Sequence, residues 1–596
     1  MKHIPVRAIA LLLSSVLIGG FVPYIVAQQQ GCPASQIFRM NLVTPPASLS
    51  SLTAVGNTPF SVISLKDDSS FPTPKPDGSL YLDTAFDTVS SNSNYTVWTF
   101  KVRPGLTWSD GRPASSADIA ATYGPNFAFN ATYDFPNAAA QVASAHVVDS
   151  STYEFDLNAP NAHWPEYLGY LYFTAMYPAV SINVQGAGGN MFGSPAVGPF
   201  YDANYTPGSF QMTLDRNPYY TPQPAICQIQ ITFVDSLSLN SNYLQSGRTD
   251  LATVEPSTVS SVLQSNPHLQ LYPGTGLAIQ ALQWNDTNYP YNMTEFRQAI
   301  AYGINQSDII AHANAGYGIP AYSAEGLVTP VATGLYNPNQ MAYRYDPAES
   351  VKLLQSIGIT KGSDGFMHYK DGTIVHLHLW TDTDQNPDTV AAGQVESDLQ
   401  QLGFTVDLFT TNVAGLSSNY FNGLHDASSA MILYTSYAGA FGSPFLDVLP
   451  GWDTLYVVTA PASTWEWPAS AQAEYMNNYT AFLNTNDPTL EKQYVSNIQS
   501  INAQYLPMLP LAYTSYMWMA NTQNWGNWPN PQTSFVEWGP SQMNRTLLDT
   551  LTPVSPSTTT SAAAGGSSPL IYVAGAIVVI LVAAAAVLVK RRKPPQ

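Results

Sequence analysis

The pattern of apolar and polar residues predicts strands alternating with helices along most of the chain. The segments "TVWTFKV" and "CQIQITFV" alternate with period two or are rich in β-branched residues, which is typical of strands. The segments "PAESVKLLQSIG" and "AAGQVESDLQQLG" carry apolar residues at helical spacing and end in glycine, as helices commonly do. Strands that alternate with helices predict an α/β fold.

Further segments extend this alternation through the second half of the chain. The segment "EFRQAIAYGINQSDII" has helical spacing in Phe296, Ile300 and Ile304. The segment "DGFMHYKDGTIVHLHLW" predicts a hairpin followed by a strand, with turns at its two Asp-Gly pairs. The segment "FTVDLFT" predicts the next strand.

The stretch "VWTFKVRPGLTWSDGRPASSADI", Val97–Ile119, gathers charged side chains in a chain of which only 10% is charged. Its first part predicts a strand, and its Pro-Gly and Asp-Gly pairs predict turns. Ser115, with Asp118 three residues further on, is a capping-box pattern that predicts a helix start. The charges therefore fall at a strand edge, a turn and a cap, so we interpret the stretch as a marker of the fold rather than as an active site.

Both ends of the chain carry membrane signals. Residues 1–27 combine a basic start, a short apolar run and a small residue, and they predict a cleavable secretory signal peptide, with an uncleaved anchor as the alternative. Residues 570–589 are an uncharged apolar run that matches the thickness of a bilayer, and the basic residues in 590–596 predict a cytoplasmic tail. Residues 551–569 predict a Ser/Thr-rich linker. We therefore expect a single-pass protein of the cell membrane with its ectodomain on the extracellular face.

The composition is that of an exported protein. With 40 acidic and 21 basic residues the formal net charge is −19, and because nucleic-acid binding needs clustered Lys and Arg, we expect no nucleic-acid partner. The two cysteines of an exported chain predict a disulfide, Cys32–Cys227, and a lipid-modified Cys32 is the alternative. Sequons supply candidate glycosylation sites at Asn94, Asn130, Asn204, Asn478 and Asn544.

A series of short motifs follows a fixed order along the chain. It begins with "WTFKVRPGLTWSDGRPASSADIAATY" and continues with "SPAVGPFY", "MTLDRNPYY", "NYLQSGRTDLATV" and "FRQAIAYGINQSDII". This series, which covers about residues 60–515, closely resembles the family 5 extracellular solute-binding proteins, the oligopeptide and dipeptide type of ABC-importer receptor.

The resemblance implies a two-lobed, class II periplasmic-binding-protein-like α/β fold in its large form, whose lobes close about a hinge around a ligand. It implies a monomeric receptor without enzymatic activity or cofactor, which delivers its ligand to ABC permease and ATPase subunits on separate chains. The ATPase must be another chain because no phosphate-binding Gly-x-x-x-x-Gly-Lys-Ser/Thr loop occurs here. The implied domains are domain I (28–57, 196–290 and 506–550), domain II (58–195) and domain III (291–505).

The sequence departs from the family where peptide receptors commonly place an aspartate against the α-ammonium group of a peptide. The matching segment is Met431–Val448, in which Tyr434 and Tyr437 remain but small uncharged residues replace the expected aspartates. Aromatic faces with amide and hydroxyl partners suit sugars. The ligand is therefore expected to be either an oligopeptide, as the resemblance implies, or an oligosaccharide. Similar members with a C-terminal span and a Ser/Thr stalk are typical of archaeal cell surfaces.

We expect the ligand to be bound at strand ends, where α/β clefts gather their ligands. Ordinary core packing is the alternative for each aromatic residue in this set. The expected ligand-binding residues are Trp284, Asn285, Trp380, Tyr434 and Tyr437.

Enzymatic alternatives have weaker support, and we predict no catalytic or metal site. The segment "DTDQNPD" resembles the start of a calcium loop but lacks the Gly and Glu that an EF-hand requires, so it predicts a turn before a helix. His376 and His378 alternate along one strand without a third metal ligand at a telling spacing. A surface-anchored glycoside- or peptide-acting hydrolase and a structural surface protein are the alternative functions.

Overall fold

We describe the protein from a computed structural model. The residues it describes are 31–50, 57–67, 73–74, 80–81, 85–123, 141–164, 178–185, 189–202, 205–273, 278–284, 288–321, 337–383, 386–412, 416, 430–436, 467–514, 517–528, 530 and 550–554. The predicted signal peptide and the predicted transmembrane run 570–589 lie outside these residues.

The described residues alternate between strands and helices, as the sequence pattern predicts. The strands are β1 (Ile37–Val43), β2 (Thr73–Pro74), β3 (Leu80–Tyr81), β4 (Phe86–Ser91), β5 (Val97–Val102), β6 (Val142–Val147), β7 (Thr152–Leu157), β8 (Phe200–Tyr201), β9 (Gln211–Arg216), β10 (Gln228–Val234), β11 (Leu251–Val254), β12 (Leu269–Pro273), β13 (Ala278–Trp284), β14 (Ile319–Pro320), β15 (Thr360–Lys361), β16 (Met367–His368), β17 (His376–Asp382), β18 (Thr405–Thr411), β19 (Ala430–Ser436), β20 (Met508–Thr514), β21 (Met517–Asn521), β22 (Trp525–Gly526) and β23 (Thr552–Pro553).

The α-helices connect these strands and cover the sheets. They are α1 (Asn57–Asp67), α2 (Ser116–Tyr123), α3 (Ala179–Gln185), α4 (Leu237–Gln245), α5 (Val259–Ser265), α6 (Thr294–Gly303), α7 (Gln306–His312), α8 (Pro347–Ser356), α9 (Asn386–Leu402), α10 (Ala469–Leu483) and α11 (Pro488–Tyr505). Two short 3₁₀ helices are formed by Ala34–Gln36 and Pro256–Thr258.

Three larger sheets organise the described part of the chain. A seven-stranded sheet has the order β12-β21-β11-β1-β10-β9-β8, and a six-stranded sheet has the order β14-β20-β13-β19-β17-β18. A four-stranded antiparallel sheet has the order β4-β5-β7-β6. The seven-stranded sheet combines strands from the beginning, the middle and the end of the chain, so it is assembled from separated pieces.

Two neighbouring connections join the seven-stranded sheet to the six-stranded sheet. β12 of the first sheet leads into β13 of the second, and β20 of the second leads back into β21 of the first. These strands also pair antiparallel with one another, since Pro273 faces Met517 in one sheet and Ala278 faces Thr514 in the other. We call β12, β13, β20 and β21 the crossing strands. A pair of adjacent crossings is the geometry of a hinge between two lobes.

The chain passes from the seven-stranded to the six-stranded sheet between 273 and 278, and it returns between 514 and 517. The sequence places its limits between domains I and III at 290/291 and 505/506 instead. Sheet membership does not by itself define a domain, so the predicted limits stay predictions. Tyr505 ends α11 and β20 begins at Met508, so the predicted limit 505/506 falls before β20 and not at the crossing.

Apolar side chains cover both faces of the six-stranded sheet. On one face Val395 of α9 packs in the same cluster as Leu377 and Leu379 of β17. On the other face, near β13 and β20, a second cluster joins Ile279 of β13 to Ile498 of α11. Burial of this apolar surface is the main force that assembles the lobe.

The stretch Val97–Ile119 folds as its sequence predicts. β5 is the predicted strand, and α2 begins at Ser116. The backbone amide of Ser115 donates to Asp118 Oδ2 at 2.9 Å, which is the reciprocal half of a capping box. Asp118 is buried and also accepts from the amide of Ala179 at 2.8 Å and from the indole of Trp108 at 3.3 Å. The charged stretch is therefore a structural corner, and the prediction of a fold marker is confirmed.

The helical segment after residue 293 is divided. α6 ends at Gly303 and α7 begins at Gln306, while Ile304 is extended, with φ −102° and ψ 128°. The helical spacing of Ile304 therefore does not place it inside a helix. Ile304 is still buried in the same cluster as Phe296 and Ile300, so the apolar pattern reports burial correctly.

Cys32 and Cys227 are bonded to each other, and their Cα atoms are 5.9 Å apart. Cys227 directly precedes β10, and its amide donates to Gln36 O at 3.0 Å. The disulfide therefore ties the segment before β1 to the start of β10, the strand with which β1 pairs.

Within the described ranges, none of the helices combines the length and hydropathy that a membrane span requires.

Asn94 is exposed in the turn between β4 and β5. Asn478 lies in α10, where its amide donates to Glu474 O at 2.8 Å. The candidate sites Asn130, Asn204 and Asn544 lie outside the described residues, and glycosylation stays a prediction at all five positions.

Candidate functional site

The carboxyl ends of the parallel strands in both large sheets lie at the crossing. In the seven-stranded sheet β1 is parallel to β10 and to β11, and Val254 at the end of β11 pairs with Met517 at the start of β21. In the six-stranded sheet β17, β18 and β19 are parallel, and β20, which ends at the crossing at Thr514, runs in the same direction. We call these two margins the crossing edges. Ligands of open α/β sheets bind beyond the carboxyl ends of the strands, so the crossing edges are the candidate ligand site.

Buried polar side chains gather at the crossing edge of the six-stranded sheet. Gln280 lies near the start of β13, Asp382 ends β17, Asp388 is in the first turn of α9, and Thr435 is next to the end of β19. With Asn314, which donates to Gln280 Oε1 at 3.3 Å, these residues form what we call the edge cluster. All of its members except the half-buried Thr435 are buried. A polar cluster that is excluded from water must be internally hydrogen-bonded.

Asp388 is the centre of the edge cluster. Its Oδ2 accepts from the amide of Thr435 at 2.7 Å and its Oδ1 accepts from Gln280 Nε2 at 2.7 Å, while the Thr435 hydroxyl also donates to Oδ1. Asp388 therefore joins α9 to the two neighbouring strands β13 and β19. Because β13 is itself a crossing strand, this carboxyl group connects the hinge to the ends of the parallel strands.

Burial raises the pKa of Asp388, while the hydrogen bonds from Thr435 and Gln280 lower it by less. The carboxyl group of Asp382 is a further hydrogen-bond partner of Asp388. Two carboxyl groups share a hydrogen bond only when one of them carries a proton, because two carboxylates have no donor between them. The hydrogen bond with Asp382 also lowers the pKa of Asp388, and burial, which raises that pKa, is the larger effect and favours the protonated form of Asp388.

Replacing Asp388 with asparagine is expected to flatten the dependence of stability on pH. The folded-state pKa lies above the ordinary value of 3.8, so the stabilisation is complete below pH 3.8 and is lost as the pH rises through the folded pKa. One such proton contributes at most about 1.4 kcal/mol per pH unit to that decline. The measurement is the unfolding midpoint of the wild type and of Asp388→Asn between about pH 4 and pH 7.

The matched control for this measurement is Asp371→Asn. Asp371 is solvent-exposed, and hydrogen bonds from Thr373 lower its pKa, so its titration falls below that pH range. The readout is the slope of stability against pH and not the stability itself. In Asp388→Asn the amide nitrogen faces the donors of Gln280 and Thr435, so the variant also loses stability that does not depend on pH. Equal slopes for the wild type and Asp388→Asn would show that Asp388 does not hold the proton.

Trp380 lies two residues before the end of β17, on the face opposite to Leu379. Its ring stacks on Phe409 of β18, with centroids 4.7 Å apart and planes 22° apart. Trp380 is half-buried and Phe409 is 38% exposed. The pair is an accessible aromatic surface near the crossing edge, the kind of surface that stacks on sugar or peptide groups. A ligand contact from Trp380 stays a prediction.

Trp284 lies at the other end of the six-stranded sheet. β13 runs antiparallel to β19, so its carboxyl end, where Trp284 pairs with Met431, is away from the crossing. The Trp284 side chain is buried in the apolar core, and its indole donates to Leu506 O at 3.1 Å. The structure therefore gives Trp284 a packing role, and it does not bring Trp284 together with Trp380. A ligand role for Trp284 stays a prediction.

The remaining expected residues are less fully described. The backbone of Tyr434 pairs with Ala281 in β13, two residues before the end of β19. Asn285 and Tyr437 lie outside the described residues, as does most of the segment Met431–Val448 that lacks the expected aspartates. Their ligand contacts stay predictions.

The sequence did not single out the edge cluster as a unit. Asp382 and Asp388 both belong to the segment "DTDQNPD", whose strand-to-helix position was predicted, but Gln280 and Thr435 come from distant strands. Within the described ranges no group of three or more His, Cys, Asp or Glu side chains could hold a metal ion. His378 instead lies 3.5 Å from Asp407 of β18. The edge cluster offers hydrogen-bonding groups and two buried acids, Asp382 and Asp388, rather than a metal site.

Two large sheets that are joined by adjacent crossings, with the carboxyl ends of their parallel strands at the crossing, are the architecture of two-lobed binding proteins that close about a hinge. Residues 82–445, more than half of the chain, match the family model of bacterial extracellular solute-binding proteins, family 5. The chain therefore belongs to the family 5 extracellular solute-binding proteins, which are binding proteins and not enzymes.

Curated and solved relatives agree with this family. The glutathione-binding protein GsiB of Salmonella typhi is 21% identical over 447 residues, which cover 74% of this chain and 82% of that protein. The oligopeptide-binding protein AppA of Bacillus subtilis, solved with a nonapeptide, is 15% identical with a TM-score of 0.69 and covers 87% of this chain and 99% of AppA. An oligopeptide-binding protein of Thermotoga maritima, solved with mannohexaose, is 19% identical with a TM-score of 0.71 and covers 88% of this chain and all of that one.

Proposed function

We propose that this protein is the extracellular receptor of an ABC importer, which captures an oligopeptide or an oligosaccharide between its lobes and delivers it to a permease. The observation that carries the proposal is the pair of adjacent crossings between the two large sheets in a chain of family 5. These crossings place the carboxyl ends of the parallel strands of both sheets at the crossing edges. Closure about such a hinge encloses a ligand at that margin.

Two kinds of relative support the two ligand classes. AppA is solved with a nonapeptide and GsiB is a glutathione-binding protein, whereas the Thermotoga protein is solved with mannohexaose. The half-exposed Trp380–Phe409 stack and the neutral segment at 434–439 favour a ligand without an obligatory ammonium group. We propose the oligosaccharide as the first ligand to test and the oligopeptide as the second.

We also propose that the receptor is tethered to the outside of the cell membrane, as in archaeal members of this type. The support is the sequence pattern of a signal peptide at 1–27, a Ser/Thr-rich linker at 551–569 and an apolar run at 570–589. The permease and the ATPase are then separate chains, since the sequence has no phosphate-binding loop of its own. Protease treatment of intact cells tests the topology, because an outward ectodomain is degraded and a cytoplasmic one is protected.

Titration of the purified full chain with mannohexaose and with a nonapeptide is expected to show saturable binding to one of them. A ligand at 100 times its Kd raises the free energy of unfolding by about 2.7 kcal/mol, because it binds only the folded state. Calorimetry gives the affinity, and mass spectrometry of the recovered ligand checks that it is unchanged. Conversion of the ligand to products would overturn the receptor in favour of a hydrolase, and no binding by any peptide or sugar would favour a structural protein.

A further inference from the structure

The four-stranded sheet is attached to the seven-stranded sheet by several polar contacts. The amide of Ser109 donates to Ala196 O at 2.9 Å. The buried side chain of Asn217, just after β9, donates to Ala196 O at 3.3 Å and to Gly198 O at 2.9 Å. Val197, from the same segment, packs in the apolar core beneath the four-stranded sheet. We call these two sheets with their helices the first lobe.

The helix pair α10–α11 belongs to the six-stranded sheet, which we call the second lobe with the helices that cover it. Ile498 of α11 packs in one cluster with Ile279 of β13 and Tyr513 of β20. α11 ends at Tyr505 and β20 begins at Met508, so this short connection makes the helix and the strand run in opposite directions. Because β20 ends at the crossing, the turn between α10 and α11 lies toward the crossing edge.

His163 of the first lobe contacts this turn of the second lobe. Its ring stacks in parallel on Phe482 of α10, with centroids 4.3 Å apart and planes 5° apart. Its Nε2 lies 3.0 Å from Thr485 O and 3.6 Å from Glu491 Oε1 of α11. A carbonyl oxygen only accepts, so Nε2 carries the proton and donates to Thr485. The amide of the preceding Ala162 also donates to Leu483 O at 2.6 Å.

Hydrogen bonds within the first lobe fix the backbone that carries His163. The amide of His163 donates to Asn161 Oδ1 at 2.9 Å, and Asn161 Nδ2 donates to Gln141 Oε1 at 2.7 Å. The amide of Asn161 donates to Tyr95 O at 3.0 Å, and its carbonyl accepts from the indole of Trp98 at 3.1 Å. The segment that presents His163 is therefore built into the four-stranded sheet. A backbone that is fixed in this way loses little conformational freedom when its side chain makes a contact.

We propose that His163 is the latch that holds the two lobes closed, and that its contact with the α10–α11 turn breaks when the lobes open. The proposal rests on the proposed receptor function, since a receptor must open to load and release its ligand. His163 and the α10–α11 turn belong to different lobes, and neither lies on a crossing strand. Rotation of the lobes about the hinge therefore separates them. A latch between lobes acts on the lifetime of the closed state, and thereby on how long a ligand remains bound.

The experiment measures lobe separation in the full chain by electron–electron double resonance between spin labels. Val148 on the first lobe and Met476 on α10 are 50% and 42% exposed, so Val148→Cys and Met476→Cys accept labels without entering a core. In His163→Ala, the weight of the short distance relative to longer distances is expected to fall about tenfold, which corresponds to about 1.4 kcal/mol. The measurement needs no ligand, so failure to bind peptide or sugar would overturn the receptor but leave this test standing.

The matched control is His146→Ala, because His146 is an exposed histidine on the same four-stranded sheet with its own acidic neighbours, Glu154 and Asp156. It is expected to leave the distance distribution unchanged. His163→Phe keeps a ring to stack on Phe482 but loses the Nε2 contacts, and a shift of about threefold in the same direction is expected. If His163→Ala does not fold, His163→Phe carries the test. Identical distributions in the wild type and the His163 variants, whether short or long, would overturn the latch.

Discussion

Replacing Lys66 with methionine is expected to lower the free energy of unfolding by about 3–5 kcal/mol. Lys66, in the last turn of α1, is 3% exposed, and its ammonium group is bonded to the completely buried Asp202. The other oxygen of Asp202 accepts from the amide of Gly193 at 2.9 Å. Without Lys66 the carboxylate stays buried with no opposite charge, and this desolvation is the source of the loss. Denaturant titration followed by tryptophan fluorescence measures it.

The control for Lys66 is the double variant Lys66→Met with Asp202→Asn. Removing both charges leaves no unpaired ion, so the double variant is expected to recover most of the stability that the single variant loses. The pair fastens the last turn of α1 to the segment after β8, at the end of the sheet where β10 begins and away from the crossing edge. A loss below about 1 kcal/mol in the single variant would show that the carboxylate finds water or another partner.

Replacing both cysteines with serine is expected to destabilise the first lobe by about 2–5 kcal/mol. The disulfide spans 195 residues of sequence, and a closed loop of that length strongly restricts the unfolded chain. The folded contacts around it remain, since Ile37 still pairs with Gln228 and Cys227 is replaced by a residue of similar size. Thermal and denaturant unfolding of Cys32→Ser/Cys227→Ser against the wild type measure the loss.

Wild-type protein in reducing agent is the control for the cysteine variant, because it breaks the same bond without changing the sequence. The two preparations are expected to unfold at the same denaturant concentration. If the double serine variant is as stable as the oxidised wild type, the unfolded chain is already restricted by residual structure, and the bond adds little.

Local sequence patterns predicted the elements of the fold well where neighbouring residues alone decide the conformation. The Ser115–Asp118 capping box, the strand at β5 and the glycine after α8 depend on contacts within a few residues. Gly358 has a φ of +83°, which glycine adopts without strain, so its place at the end of the helix follows from its chemistry. The family motifs are also short local segments, and their resemblance to family 5 predicted the two-lobed class.

Local sequence patterns predicted the ligand site less well than the elements of the fold, and Trp284 shows the reason. The sequence marks Trp284 as a residue at the end of a strand but does not state the direction of that strand. Only the pairing of β13 with β19 shows that it runs antiparallel, which sends Trp284 to the margin away from the crossing. The edge cluster likewise joins Gln280 to Asp388, residues 108 positions apart in the sequence.

The sequence by itself determined the α/β class, because strand alternation and helix caps depend on neighbouring residues, and the order of its short motifs determined the resemblance to family 5. The tertiary structure decided which strand ends meet at the crossing, that Asp388 is buried against Gln280 and Thr435 of distant strands, and that His163 faces Phe482 across the lobes. These last features depend on strand direction and on contacts between distant segments. Such contacts follow from the packing of the whole lobe, which no local pattern specifies.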